Sequence, residues 1–188
     1  MYRAQSPPRK YEEHAYVLDF NPRGKSSTVR GRDGIIITAI GEDRLTLLEV
    51  LGIPNSAFDV GERIYIGKEG RTKILSVLGK LEYEQISSSA QSELSGVVEN
   101  IVTFNEARFV EYINNARPLT PRIHALELIP GIGKTYMKIM IEEREKKKFQ
   151  SYVDLQERVG FKDPIKHISA RIMDEITGES RMNIFVKK

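Results

Sequence analysis

The residues with the most chemical content are the run Leu128-Ile129-Pro130-Gly131-Ile132-Gly133-Lys134. A Gly-X-Gly turn lets the backbone approach a partner with no Cβ atoms in the way. The spacing predicts a helix beginning near Gly133, and the first amides of a helix have no intrahelical acceptor. Those donors and the positive end of the helix dipole favour an anion. Lys134 adds a full charge at the same spot, and Thr135 and Lys138 follow on the first turns. This is the chemistry of a grip on a nucleic-acid backbone. The competing reading is a tight turn that only packs helices, as in helical protein-interaction domains.

Two further groups suit a polyanion. The stretch Asn21 to Arg32 holds Arg23, Lys25, Arg30 and Arg32, no acid and several loop formers. That composition fits a basic arm folding over phosphates, or simply a solvated loop. Arg63 and Tyr65 alternate with Ile64 and Ile66, so they share the opposite face of a strand. An exposed tyrosine beside a cation can stack a base of a single strand while the cation follows its backbone. Tyr16 and Phe20 share a register with His14 and join the same reading; the alternative is that these aromatics fill a barrel. Lys146-Lys147-Lys148 closes the helix after the hairpin, where cations also answer the helix dipole. Arg144 either serves the phosphate site or pairs with Glu142 or Glu145.

Enzyme chemistry finds less support. Gly133-Lys134-Thr135 ends like a nucleotide-binding loop, but Gly131 lies two residues before Gly133 rather than five, and a predicted helix, not a strand, precedes it. His14, His124 and His167 are isolated in sequence, so no metal hydrolase is indicated. The chain has 188 residues, no cysteine and a net charge of +3. Disulfides, thiolate metal sites and a thiol nucleophile are therefore excluded. With neither a membrane-length apolar run nor a signal-peptide pattern, the protein is expected to be soluble and cytoplasmic, with no membrane partner. Charge is uneven: residues 1–86 carry +1, residues 87–120 carry −2 and residues 121–188 carry +4. The basic excess thus lies with the hairpin.

The elements that must position these residues divide in two. After a polar tail over 1–13, residues 14–86 read as β. Strand-forming runs occur at His14 to Phe20, Ile35 to Ile40, Leu45 to Leu51, Phe58 to Ile66 and Ile74 to Leu78, with a further one at Leu81 to Ile86. Five or six short strands predict a small barrel, with an open sheet as the alternative. From residue 87 the period is helical. Ser88 with Gln91 and Thr103 with Glu106 form capping-box patterns, making 87–117 a pair of connecting helices. Thr120-Pro121 predicts a helix to about Leu126. Helices then follow over 134–147, 152–159 and 164–177, the last with Ile165, Ile168, Ile172 and Ile176 inward, and Met182 to Val186 is a short strand or an extended plug.

Leu128 to Gly133, with Ile139, Met140 and Arg144 downstream, resembles the helix-hairpin-helix motif of non-sequence-specific nucleic-acid-binding proteins. Residues 152–177 look like a degenerate second copy lacking a Gly-X-Gly turn, and Met137 stands where that family often has alanine. The resemblance implies phosphate contact by the hairpin and a monovalent cation among its carbonyls. Helix-hairpin-helix glycosylases place a catalytic lysine where this chain has Thr135. They also use an aspartate near the position of Asp154, which a capped helix start at Ser151 explains instead. More widely, Leu45 to Val50, Val60 to Ile66, the Pro-Gly-Ile-Gly hairpin, Phe149 to Arg158 and Asn183 to Val186 occur in one order. This resembles the mostly archaeal family known as domain of unknown function 655, described as predicted RNA-binding proteins. The resemblance implies an α+β chain: an N-terminal OB-like small β-barrel over 14–86, then a tandem helix-hairpin-helix region over 118–188. The expectation is a non-catalytic nucleic-acid-binding protein, with RNA favoured slightly over DNA. The rival is an adaptor with a protein partner in translation or transcription machinery.

Overall fold

The computed structural model describes residues 11–24 and 33–188. Lys25, Arg30 and Arg32 of the basic arm lie outside the described residues, as do the first ten. Two compact units emerge, one running to Glu93 and including Lys187–Lys188, the other spanning Leu94–Val186.

The first unit is an antiparallel sheet curled into a half-barrel. Its strands are β1 (His14–Asn21), β2 (Ile35–Gly41), β3 (Leu47–Gly52), β4 (Arg63–Tyr65) and β5 (Ile74–Lys80), in the order β4-β1-β2-β3-β5. Ala15, Val17, Ile37, Ala39, Leu48, Val50, Ile64 and Ile74 line one face and bury a core with Phe58 and Ile66. The other face of β2 and β3 is also buried at Ile36, Ile40 and Leu51, so these strands read as apolar runs, broken in β3 by the buried Glu49, rather than as alternation. Bulges interrupt β1 at Leu18 and β5 at two places. Strands β4 and β5 do not pair, so the barrel stays open along that side. The Arg71 guanidinium sits there instead, donating to the carbonyls of Ile66, Gly67 and Leu75. The expected sixth strand is absent: Leu81 to Ile86 forms a 3-10 turn over Tyr83–Gln85, closed by the Gln85 side chain accepting from the Glu82 amide.

A buried carboxylate that sequence reading passed over ties the chain entry to this sheet. Glu12 accepts from the amides of Asp43 and Arg44 at 2.9 and 2.6 Å. Nearby, Glu42 accepts the Tyr16 hydroxyl at 2.8 Å and both arms of the Arg63 fork at 2.7 and 3.0 Å. The hydrogen bond from Arg63 holds the Glu42 carboxyl below its ordinary value. Burial, then the hydrogen bond to Glu42, pushes the Tyr16 phenol up to about 12.

The second unit is helical from α1 (Ser88–Phe104, which begins in the first unit) through α2 (Glu106–Asn115), α3 (Lys134–Lys146), α4 (Tyr152–Val159) and α5 (Pro164–Thr177). The first cap falls one residue early: the Ser87 hydroxyl accepts from Ala90, and the Gln91 amide nitrogen donates to the Tyr83 carbonyl. Thr103 bonds back to Glu99 inside α1, and Asn105 precedes α2. No α-helix forms over 121–126. The Thr120 hydroxyl accepts from the Arg122 and Ile123 amides, which closes a turn bracketed by a bridge between Pro118 and His124. A short 3-10 helix, Ala125–Leu128, follows. The Ser151 cap holds as expected, accepting from Asp154 at 3.0 Å. Residues 182–186 form no strand; the segment bends at Met182, Ile184 and Phe185, with Phe185 and Val186 buried. No helix among the described residues is long and apolar enough to cross a membrane.

Candidate nucleic-acid interface

The hairpin is built from the 3-10 turn upward. His124 caps it, its Nδ1 accepting from the Leu126 amide at 3.1 Å. Leu126 and Ile129 are buried, the Ile132 amide donates to Ile129 at 3.1 Å, and the buried Ile132 side chain anchors the loop tip. Around that anchor Gly131, Gly133, Lys134, Thr135 and Lys138 are exposed. Gly133 is the N-cap of α3 in an extended conformation, and its carbonyl accepts from Met137. The amides of Gly131, Gly133, Lys134 and Thr135 find no acceptor among the described residues. The four donors and Lys134 therefore lie on exposed residues of one turn, with no carboxylate paired to Lys134 among the described residues.

The two glycines do different work. Gly131 has φ +85, and a Cβ built on it would lie 2.7 Å from the His167 ring of α5. Gly133 has open space around its Cα. His167 in turn packs on Phe161 at 4.7 Å, and Phe161 on Tyr136 at 5.4 Å. The loop between α4 and α5 thus braces the hairpin through a row of three rings. This loop carries exposed Lys162, and α5 carries exposed Lys166. Sequence spacing gave no sign of that brace, because the rings belong to three separate elements.

Arg144 is not part of this face; it donates to the Ile113 carbonyl at 2.8 Å. Lys146 pairs with Glu143, and Arg158 donates to the Glu143 and Lys147 carbonyls at the end of α3. Asp154 accepts from Gln150 and pairs with Arg158, which gives it a structural task. Among the described residues, no group of three or more histidine or carboxylate side chains is gathered for a metal.

The first unit holds the other expected residues. Arg63 is engaged by Glu42. Tyr65 is half-buried, edge-on to His14 at 5.3 Å. Arg23 is exposed in the turn after β1, where its amide donates to Asn21.

The profile of a protein family of unknown function, DUF655, matches residues 11–187. The chain belongs to this family. An uncharacterized protein of Methanocaldococcus jannaschii is 42% identical over 185 residues, which cover 97% of this chain and 83% of that protein. A crystal structure of a DUF655 protein from Archaeoglobus fulgidus superposes with a TM-score of 0.81 at 37% identity, covering 94% of this chain and all of that one. DUF655 membership and this superposition fix the α+β architecture, a curled five-stranded sheet with five helices.

The His124 cap is expected to make the hairpin of this DUF655 chain acid-sensitive. Burial, then the nearby Arg144 charge, holds the His124 imidazole below its ordinary value of 6.5. A depressed histidine contributes stability that is present above the unfolded value and is lost as pH falls through the folded one. Protonation also removes the acceptor that Leu126 uses. Thermal melting of the chain is therefore expected to decline below about pH 6.5, and His124→Asn, which keeps a capping acceptor, is expected to flatten that decline. An unchanged acid limb in the variant refutes the assignment.

Proposed function

We propose that this protein is a non-catalytic nucleic-acid-binding protein that holds phosphates at its helix-hairpin-helix turn, indifferent to base sequence. The observation carrying this reading is the exposed turn at Gly131, Gly133, Lys134 and Thr135, whose amides and whose lysine have no partner among the described residues. Such a set is a phosphate receptor in dipole, geometry and charge. Lys138 and, across the ring brace, Lys162 and Lys166 extend the positive surface. The half-barrel, read as OB-like, adds a second surface for a single strand or structured RNA. Two modest sites on one chain reinforce each other through effective concentration. RNA is the slightly preferred partner.

The deciding experiment is a salt-dependent titration of the full chain with single-stranded RNA, structured RNA and duplex DNA. Affinity is expected to fall linearly on a log–log plot of binding against salt. Lys134→Glu is expected to weaken binding by about 1–3 kcal/mol, the scale of a lost charged hydrogen bond, and to flatten the salt slope. The rival reading, a protein-interaction adaptor, draws on the way Gly131 seats His167, since a turn that packs helices needs the same glycine. Absence of binding to every strand at low salt, with a stable protein partner, would support the adaptor.

A further inference from the structure

The open side of the half-barrel holds a cleft of about 740 Å³. This volume lies within the range of small-ligand sites, roughly 300–1,000 Å³. One wall comes from the segment after β4 with Arg71, the other from β5. Three kinds of group meet there. Leu48, Ile66 and Val77 supply apolar surface. Tyr65 and Tyr11 supply rings: a Cβ on Gly67 would run into the Tyr65 phenol, so the glycine is what lets that ring lie across the chain. Lys68, 5.5 Å from the Tyr11 ring centre, and exposed Lys80 supply cations with no carboxylate partner among the described residues.

Lys68 and Lys80 favour an anionic ligand. Arg44, Lys68, Arg71 and Lys80 line the cleft with Glu12, Glu13 and Glu69, and Glu12 is already turned onto the Asp43 and Arg44 amides. One polar group there is unsatisfied: the Ser76 hydroxyl is buried without a hydrogen-bond partner. A rotamer change toward a ligand would break no existing bond. Addition of a foreign strand fits poorly, because β5 carries two bulges and Arg71 already takes the carbonyls at the seam. Both features blunt a sheet edge.

We propose that this cleft binds a nucleoside phosphate, its base against the Tyr65 and Tyr11 rings and its phosphate on Lys68 and Lys80. Rings that stack a base beside cations that take a phosphate are the minimum such a ligand needs. The same chemistry arises from a free nucleotide or from the phosphorylated end of a single strand. The site lies in the first unit and does not depend on the hairpin reading.

The test titrates the full chain with adenosine 5′-monophosphate and with a 5′-phosphorylated trinucleotide, following amide resonances of residues 65–68 and 76–80. Adenosine and inorganic phosphate are the controls, each expected to bind far more weakly. A response to the mononucleotide identifies a free nucleotide, and a response to the trinucleotide alone identifies a strand end. Val77→Trp, at a side chain 38% exposed, fills the cleft and is expected to weaken binding at least about tenfold, or 1.4 kcal/mol. Lys80→Glu is expected to do the same should Val77→Trp lower the melting temperature, and Lys134→Glu is expected to leave this site unchanged. The proposal is overturned by silent cleft amides with both ligands at millimolar concentration, by wild-type affinity in a well-folded Val77→Trp or Lys80→Glu, or by an acidic peptide shifting these amides when no nucleotide does.

Discussion

Glu175→Ala is expected to destabilise the second unit by about 3–5 kcal/mol, the cost of stripping one partner from a buried ion pair. Glu175 is 1% exposed and lies one turn from Arg171 on α5, whose Nε donates to it at 2.9 Å. Its other oxygen accepts the amides of Ile184, Phe185 and Val186 at 3.0, 2.9 and 2.9 Å. The Arg171 fork donates to the Leu128 and Met182 carbonyls. Removing the carboxylate leaves a buried guanidinium with no counter-charge and three tail amides with no acceptor. The seating of Phe185 against Phe109 and Tyr112, at 5.5 and 4.8 Å, would go with them. Chemical denaturation of the variant measures the loss. Because Arg171 also holds Leu128, just before the hairpin, strand binding should weaken in parallel. A change below about 1 kcal/mol, the size of a surface pair, would mean that the tail is not held this way.

The second large effect separates the two hairpin glycines. Gly131→Ala is expected to cost about 2–4 kcal/mol, combining a left-handed backbone for a residue with a Cβ and overlap with the His167 ring. Gly133→Ala, with φ −82 and empty space, is expected to cost under about 1 kcal/mol, the range of an N-cap change. Its methyl group would project beside the exposed amides. Gly133→Ala should therefore keep the melting temperature and lose affinity for a strand, whereas Gly131→Ala should lose both. Paired melting and titration of the two variants reads this directly. Equal destabilisation by both would show that the turn serves packing alone.

Legibility in the sequence followed the range of the interactions. The Ser151 cap, the α3, α4 and α5 spans and the exposed Gly-X-Gly turn rest on contacts within a few residues, so spacing revealed them. The barrel's openness was not visible: β4 and β5 are strands by pattern, and only the Arg71 bridge shows what stands between them. Thr120-Pro121 has the letters of a helix start, but the Thr120 hydroxyl closes a turn with residues two and three ahead before a helix can propagate. At the candidate site, the exposed turn and Lys134 could be placed from the sequence, whereas the Phe161–His167 brace and the Glu175 pin join distant segments. The four-residue spacing of Arg171 and Glu175 was a signal, yet the same spacing is common on wet helix faces, and burial is what distinguishes this pair.

Holding residues 184–186 on one carboxylate sets an order of events during synthesis. The ribosome makes α5 before the amides that Glu175 needs. Until those residues emerge, Glu175 has only Arg171, and Arg171 has Glu175 and the carbonyls of Leu128 and Met182. The helical unit thus reaches its final packing only after residues 184–186 have emerged, whereas β1 through β5 emerge earlier.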